Sequence, residues 1–202
     1  MASKRLATNI KYSVFGILLV TGVMTTSLGA QPARANEMTA NHHESTPTKK
    51  TEAANLVKVV RASTERFRDV AVAEAEGYTL QFGCVTGGES GAMGMHYVNG
   101  ALVGDGELDP TRPEIVIYEP TPDGRLKLIG ADYLVIAEAW HAKHTETPQI
   151  MGQLMHLFES PNRFGLPPFY TLHVWAWKEN PTGMFVNWHN NVSCEAFGGP
   201  NR

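Results

Sequence analysis

Histidines and acids set inside apolar strand-like runs are the residues of this chain best placed to do chemistry. In Leu172-His173-Val174-Trp175-Ala176-Trp177, strand alternation puts His173, Trp175 and Trp177 on one face and the small aliphatic residues on the other. Such a face is either a core of large rings around one hydrogen-bonded histidine or the wall of a ligand pocket. In a pocket, the rings supply contact area and the imidazole orients, binds a metal or moves a proton. A second run, Met93–Val98, sets His96 beside Gly94, which leaves room for a ligand or another backbone. If the two strands share a sheet or face one another, His96 and His173 meet. A carboxylate then completes a three-ligand site of the open kind that catalytic zinc uses.

Two acids are candidates for that role, Glu114 and Asp132, because each starts or interrupts an otherwise apolar β-run. Asp132 shares the leucine face of Leu126-x-Leu128-x-Gly130-x-Asp132-x-Leu134, where a charge is costly unless paired. A β-bulge before it would turn it to solvent instead. The expected cofactor is a divalent transition metal, zinc or copper, although the discontinuous spacing matches no compact motif such as H-E-x-x-H. His189, in Trp188-His189-Asn190-Asn191, is placed at the rim of the same pocket, with a turn as its alternative reading.

Other patterns are weaker. His141-Ala-Lys-His144 offers a metal pair only on a helix, and its polar surroundings read as a surface loop. The glycine-rich stretch Gly83–Gly94 lacks the lysine of a phosphate-cradling loop and has no G-x-G-x-x-G. Gly88-Glu89-Ser90-Gly91-Ala92 approximates a nucleophile elbow, but the run after Ser90 reads as a strand where an elbow needs a helix. Asp105, Glu107 and Asp109 alternate like a calcium loop, yet Pro110 stands where that loop needs glycine.

The first 35 residues set the compartment. Lys4, Arg5 and Lys11 form a positive leader, Val14 to Gly29 a mostly apolar stretch, and Ala33-Arg34-Ala35 a small-x-small cleavage pattern. We read a secretory signal cut after Ala35, and hence a secreted or periplasmic protein. Thr21, Thr25, Thr26 and Ser27 break the apolar stretch, which falls short of the roughly 20 apolar residues that span a bilayer. No membrane anchor is expected in the mature chain. Cleavage removes four basic residues and no acid from a chain whose net charge is −3, leaving it more acidic still. That balance argues against nucleic acid as a partner. Export carries Cys84 and Cys194, the only cysteines, into an oxidising compartment where they should pair. In the loop-entropy model, closing a loop on the order of 100 residues is worth about 4.7 kcal/mol.

These residues have to be positioned by a single domain over 51–202, after a flexible linker over 36–50 that is nearly free of large apolar residues and carries His42 and His43. Apolar residues at three- and four-residue intervals predict an amphipathic helix over 52–76, capped by Gly77. Beyond it come short β-like runs at 78–82, 93–98, 114–118, 125–137, 169–178 and 184–188, with hairpin chemistry at Pro122-Asp123-Gly124. A further short helix is predicted from Thr147 to about Phe158, with Pro148 at its first position. The order without a β-α-β rhythm gives an α+β fold: an N-terminal helix packed on an antiparallel sheet, with a barrel-like curl as one form of it.

Three functions compete on these residues. The favoured one is an exported domain that binds a small-molecule ligand in the aromatic and histidine pocket, with metal-dependent binding as one version. The second is a secreted enzyme of hydrolase or lyase type, with His173 or His96 as general base and Asp132 as its orienter. The third is a carbohydrate or protein interaction module using an exposed Trp175 and Trp177.

Overall fold

The computed structural model describes residues 46–200; the signal segment, His42 and His43 lie outside the described residues. Thr46 caps the first helix by accepting a hydrogen bond from the Lys49 amide, and Pro47 takes the opening position where its missing N–H costs nothing. Helix α1, Pro47–Thr64, therefore begins inside the stretch expected to be a linker. Leu56, Val60 and Thr64, each four residues apart, form its buried stripe.

The helix expected over 52–76 is real but broken. A 3₁₀ turn, Glu65–Arg68, and a short α2, Val70–Ala75, follow α1. Asp69 causes the break: it sits in an extended conformation and its carboxylate accepts from the Ala71 amide, capping a new helix rather than continuing the old one. The turn drops Phe67 into the core, where its carbonyl accepts from the Tyr118 hydroxyl at 2.7 Å.

Six strands form one antiparallel sheet: β1 Tyr78–Thr86, β2 Ala92–Asn99, β3 Ile115–Pro120, β4 Leu126–Ile136, β7 His156–Phe158 and β8 Phe169–Val174. Their order is β1-β2-β3-β4-β8-β7, so the sheet is open and does not close into a barrel. Short helices α3, Gly100–Asp105, and α4, Ala137–His141, follow β2 and β4. One face, carrying Ala131, Tyr133, Val135, Tyr170, Leu172 and Val174, packs with Leu56 and Val60 of α1. The opposite face carries the candidate site.

Two expected elements differ. In place of the helix over 147–158 stands a tight hairpin, β5 Gln149–Ile150 and β6 Gln153–Leu154, followed directly by β7. Its two turn residues, Met151 and Gly152, both have positive φ, the requirement of a hairpin turn and the opposite of a helix. Ile150 and Met155 reach the core, whereas Leu154 and Leu157 face solvent, so the helical spacing of these apolar residues was coincidental. The run over 169–178 stops at Val174, whose carbonyl accepts from the Ala176 amide in a tight turn. Residues 184–188 form no strand; the Met184 carbonyl instead accepts from the Trp175 amide.

The two cysteines are bonded, Cys84 to Cys194 across 110 residues. Such a bond persists in oxidising compartments. No described helix is long and apolar enough to cross a membrane.

Candidate metal centre

Sheet register brings the two histidines and Asp132 together. On β8, His173 pairs with Asp132 on β4; Asp132 pairs with Ile115 on β3; and Ile117, two residues on and so on the same face, pairs with His96 on β2. The β-bulge foreseen before Asp132 does exist, with Ile129 as the extra residue opposite β3, yet Asp132 still points inward. Gly94 and Gly130, each two residues before a member of the trio, let neighbouring backbone approach closely. A Cβ on Gly94 would lie 2.6 Å from the Tyr118 carbonyl oxygen, and one on Gly130 2.7 Å from that of Val174.

His96, Asp132 and His173 are 6, 2 and 3% exposed, and one ligand atom from each lies within 4.8 Å of the others. His96 Nε2 is 3.4 Å from His173 Nε2. His96 Nδ1 lies 3.3 Å from the Gly94 carbonyl oxygen, which only accepts, so the proton belongs on Nδ1 and the Nε2 lone pair faces the cluster. The Thr171 hydroxyl donates to Asp132 Oδ1 at 2.5 Å. His173 Nδ1, 3.6 Å from the same oxygen, has no hydrogen-bond partner.

With Asp132 ionised, these contacts leave neutral imidazoles without a good arrangement. A proton on His173 Nε2 satisfies His96 but turns a bare Nδ1 lone pair toward the Asp132 carboxylate. A proton on Nδ1 turns two Nε2 lone pairs toward each other. Cationic imidazole would relieve this, but burial holds the pKa of both histidines well below the ordinary value, with the charge of His173 adding to the effect at His96. Burial also raises Asp132, against the pull of His96 and the Thr171 hydrogen bond. Neutral imidazoles with directed lone pairs are the form in which histidine binds metal.

The donor set fits a transition ion. Two nitrogens held at about 2.0–2.1 Å in tetrahedral geometry stand about 3.3 Å apart, close to the 3.4 Å found here. Three protein ligands also leave coordination positions open.

The remaining expected residues lie elsewhere. Glu114 is buried but outside the trio; its Oε2 accepts from the Leu134 amide at 3.0 Å, and burial pushes its carboxyl up to about 8. Trp175 is buried 5.8 Å from His173, ring to ring, and donates to the Val186 carbonyl. Trp177 leaves the face because the chain turns at 174–176. It donates to the Thr64 hydroxyl of α1 at 3.0 Å and lies beneath the Arg68 guanidinium at 4.4 Å. Trp175 is therefore no exposed platform, while Trp177 is half-buried and borders a surface groove with Arg68, Arg125 and Lys127. His189 is fully buried rather than at a rim: its ring meets Trp175 edge-on at 4.9 Å, and its Nδ1 accepts from the Asn191 amide. His141 contacts the Tyr170 hydroxyl and His144 stacks on Trp140, so neither joins the cluster. Ser90 leads into β2 as expected, without the helix of a nucleophile elbow.

Sequence reasoning missed the apolar wall over the trio. Phe82, Phe158, Phe164, Leu166 and Phe169 line a cavity of about 30 Å³ that reaches His96, Asp132 and His173. Phe169 was legible as a strand residue, whereas Phe158 was assigned to the expected 147–158 helix, and the loop that carries Phe164 and Leu166 has no pattern tying it to a site. Compared with protein-family models, curated proteins and solved structures, the chain matches none, so the site is read from its own geometry.

Proposed function

We propose that this protein is an exported small-ligand-binding domain whose ligand site is a divalent transition metal held by His96, His173 and Asp132. The observation that carries the reading is the facing pair of imidazole nitrogens beside a buried carboxylate, an arrangement that no assignment of protons on neutral rings satisfies while Asp132 is ionised. A cation shared by the three groups satisfies them together. Thr171 then holds the carboxylate, and the Gly94 carbonyl holds the His96 ring in its ligating form, as outer partners do at metal sites. The disulfide supports work in an oxidising compartment, and export is assigned to residues 1–35; an exported product whose mass begins at Asn36 is the expected result.

The test is bound metal by mass spectrometry in wild type, His96→Ala and His173→Ala, with melting temperature followed during titration with zinc, copper, nickel, iron and manganese. Wild type should bind one equivalent and melt higher with metal. Each variant should fold and lose at least about tenfold in affinity, since even outer-partner changes cost that much. Wild-type protein that carries no metal, and whose melting point none of the five ions moves, overturns the proposal.

A further inference from the structure

The cavity above the metal ligands is small, and its walls are carbon. At about 30 Å³ it has room for about two water-sized groups beside the three ligating side chains. The one hydroxyl among its lining residues, Thr171 Oγ1, is committed to Asp132. A ligand entering here meets the metal at one end and aromatic carbon at the other. Water or hydroxide would leave an O–H donor without an acceptor, whereas a ligand that carries no O–H or N–H leaves no donor unmet.

The walls also hold their shape. Phe82 itself takes a left-handed backbone conformation, with its ring 5.3 Å from that of Phe164, and Phe158 stacks on Phe169 at 5.2 Å. Phe164 and Leu166 sit on the loop over 159–168, which Asn162 ties to itself. Its side-chain nitrogen donates to the Glu159 and Leu166 carbonyls, and its oxygen accepts from the Phe164 and Leu166 amides. The size of the cavity is therefore set by a braced loop rather than by loose side chains.

We infer that the open side of this centre takes ligands of two or three non-hydrogen atoms, of the class of dioxygen, nitric oxide and azide, and excludes larger carboxylates. The inference rests on the metal reading above. Its test uses the full chain loaded with cobalt(II), whose visible absorption reports the coordination shell, titrated with azide and with benzoate. The iron(II)-loaded chain is exposed to nitric oxide without air and examined by electron paramagnetic resonance. Azide should change the cobalt spectrum saturably and bind at least about tenfold tighter than benzoate, because apolar pockets discriminate by that much over a single misfit carbon. Nitric oxide should give an iron–nitrosyl signal. Phe164→Ala, or Leu166→Ala if the first variant does not fold, should admit benzoate while cobalt binding is retained. A cobalt-loaded wild type that ignores azide, or binds benzoate as tightly, overturns this inference and leaves the metal reading standing. A chain that binds no cobalt and fails the metal titrations above overturns both.

Discussion

Glu114 keeps a carboxyl in the core at the cost of its charge. Burial raises its pKa from 4.5 to about 8, and the Leu134 amide and the nearby Asp132 charge act in opposite directions on that value. The unfolded chain ionises this group near 4.5 and the folded chain near 8, so across that window the folded state binds the extra proton. Its contribution to stability is full below about 4.5 and is lost as pH rises toward 8. Glu114→Gln keeps an oxygen for the Leu134 amide and cannot ionise. Its melting temperature should match wild type near pH 4.5 and exceed it by a growing margin up to pH 8; a constant difference across that range would contradict the burial argument. Glu114 and Asp132 look alike in the sequence, both being acids in apolar runs, and only pairing between strands separates them. By contrast, His96, Asp132 and His173 were legible as candidates because strand alternation and the cost of a buried charge act within one strand.

At the scale of elements, α1 is held by its buried stripe and by Thr64, which donates to the Val60 carbonyl and accepts from the Trp177 indole. Leu56 packs on the sheet face opposite His96, Asp132 and His173. Leu56→Ala should lower unfolding free energy by about 2–5 kcal/mol and leave metal affinity unchanged. A denaturant titration and a metal titration on the same preparation check the two halves. Five of the six strands of the sheet were readable from the sequence, and the helical start from periodicity; β7 lay within the expected 147–158 helix. The 149–154 hairpin was not, because its apolar residues fall at helical intervals; Gly152 in mid-run was the one local signal against a helix. The break at Asp69 and the turn at 174–176 depend on a capping choice and on packing of Trp177 under α1, which periodicity does not register.

For the molecule as a whole, the disulfide joins the start of the sheet to the end of the chain. Removing it as Cys84→Ser with Cys194→Ser should cost about 2–5 kcal/mol, read by denaturant unfolding under non-reducing conditions; unchanged stability would mean that the C-terminal segment holds itself in place. The pairing was legible from an even cysteine count in a chain read as exported. The order of the strands was not, since β8 reaches β4 only after the whole excursion over 137–168.

Phe82 and Gly83 have a role beyond the cavity wall. They interrupt the pairing of β1 with β2 between Gln81 and Cys84, and β1 is an edge of the sheet. A Cβ on Gly83 would lie 2.3 Å from the Pro200 carbonyl oxygen, so the chain's end runs across this kink. The other edge, β7, is only three residues long. An incoming chain adds to a sheet by pairing along a straight, unobstructed edge, and natural proteins discourage this with bulges, covers and short outer strands. One edge here has the first two devices and the other has the third. The disulfide holds the cover in place, so its reduction bares a template for self-association as well as loosening a loop.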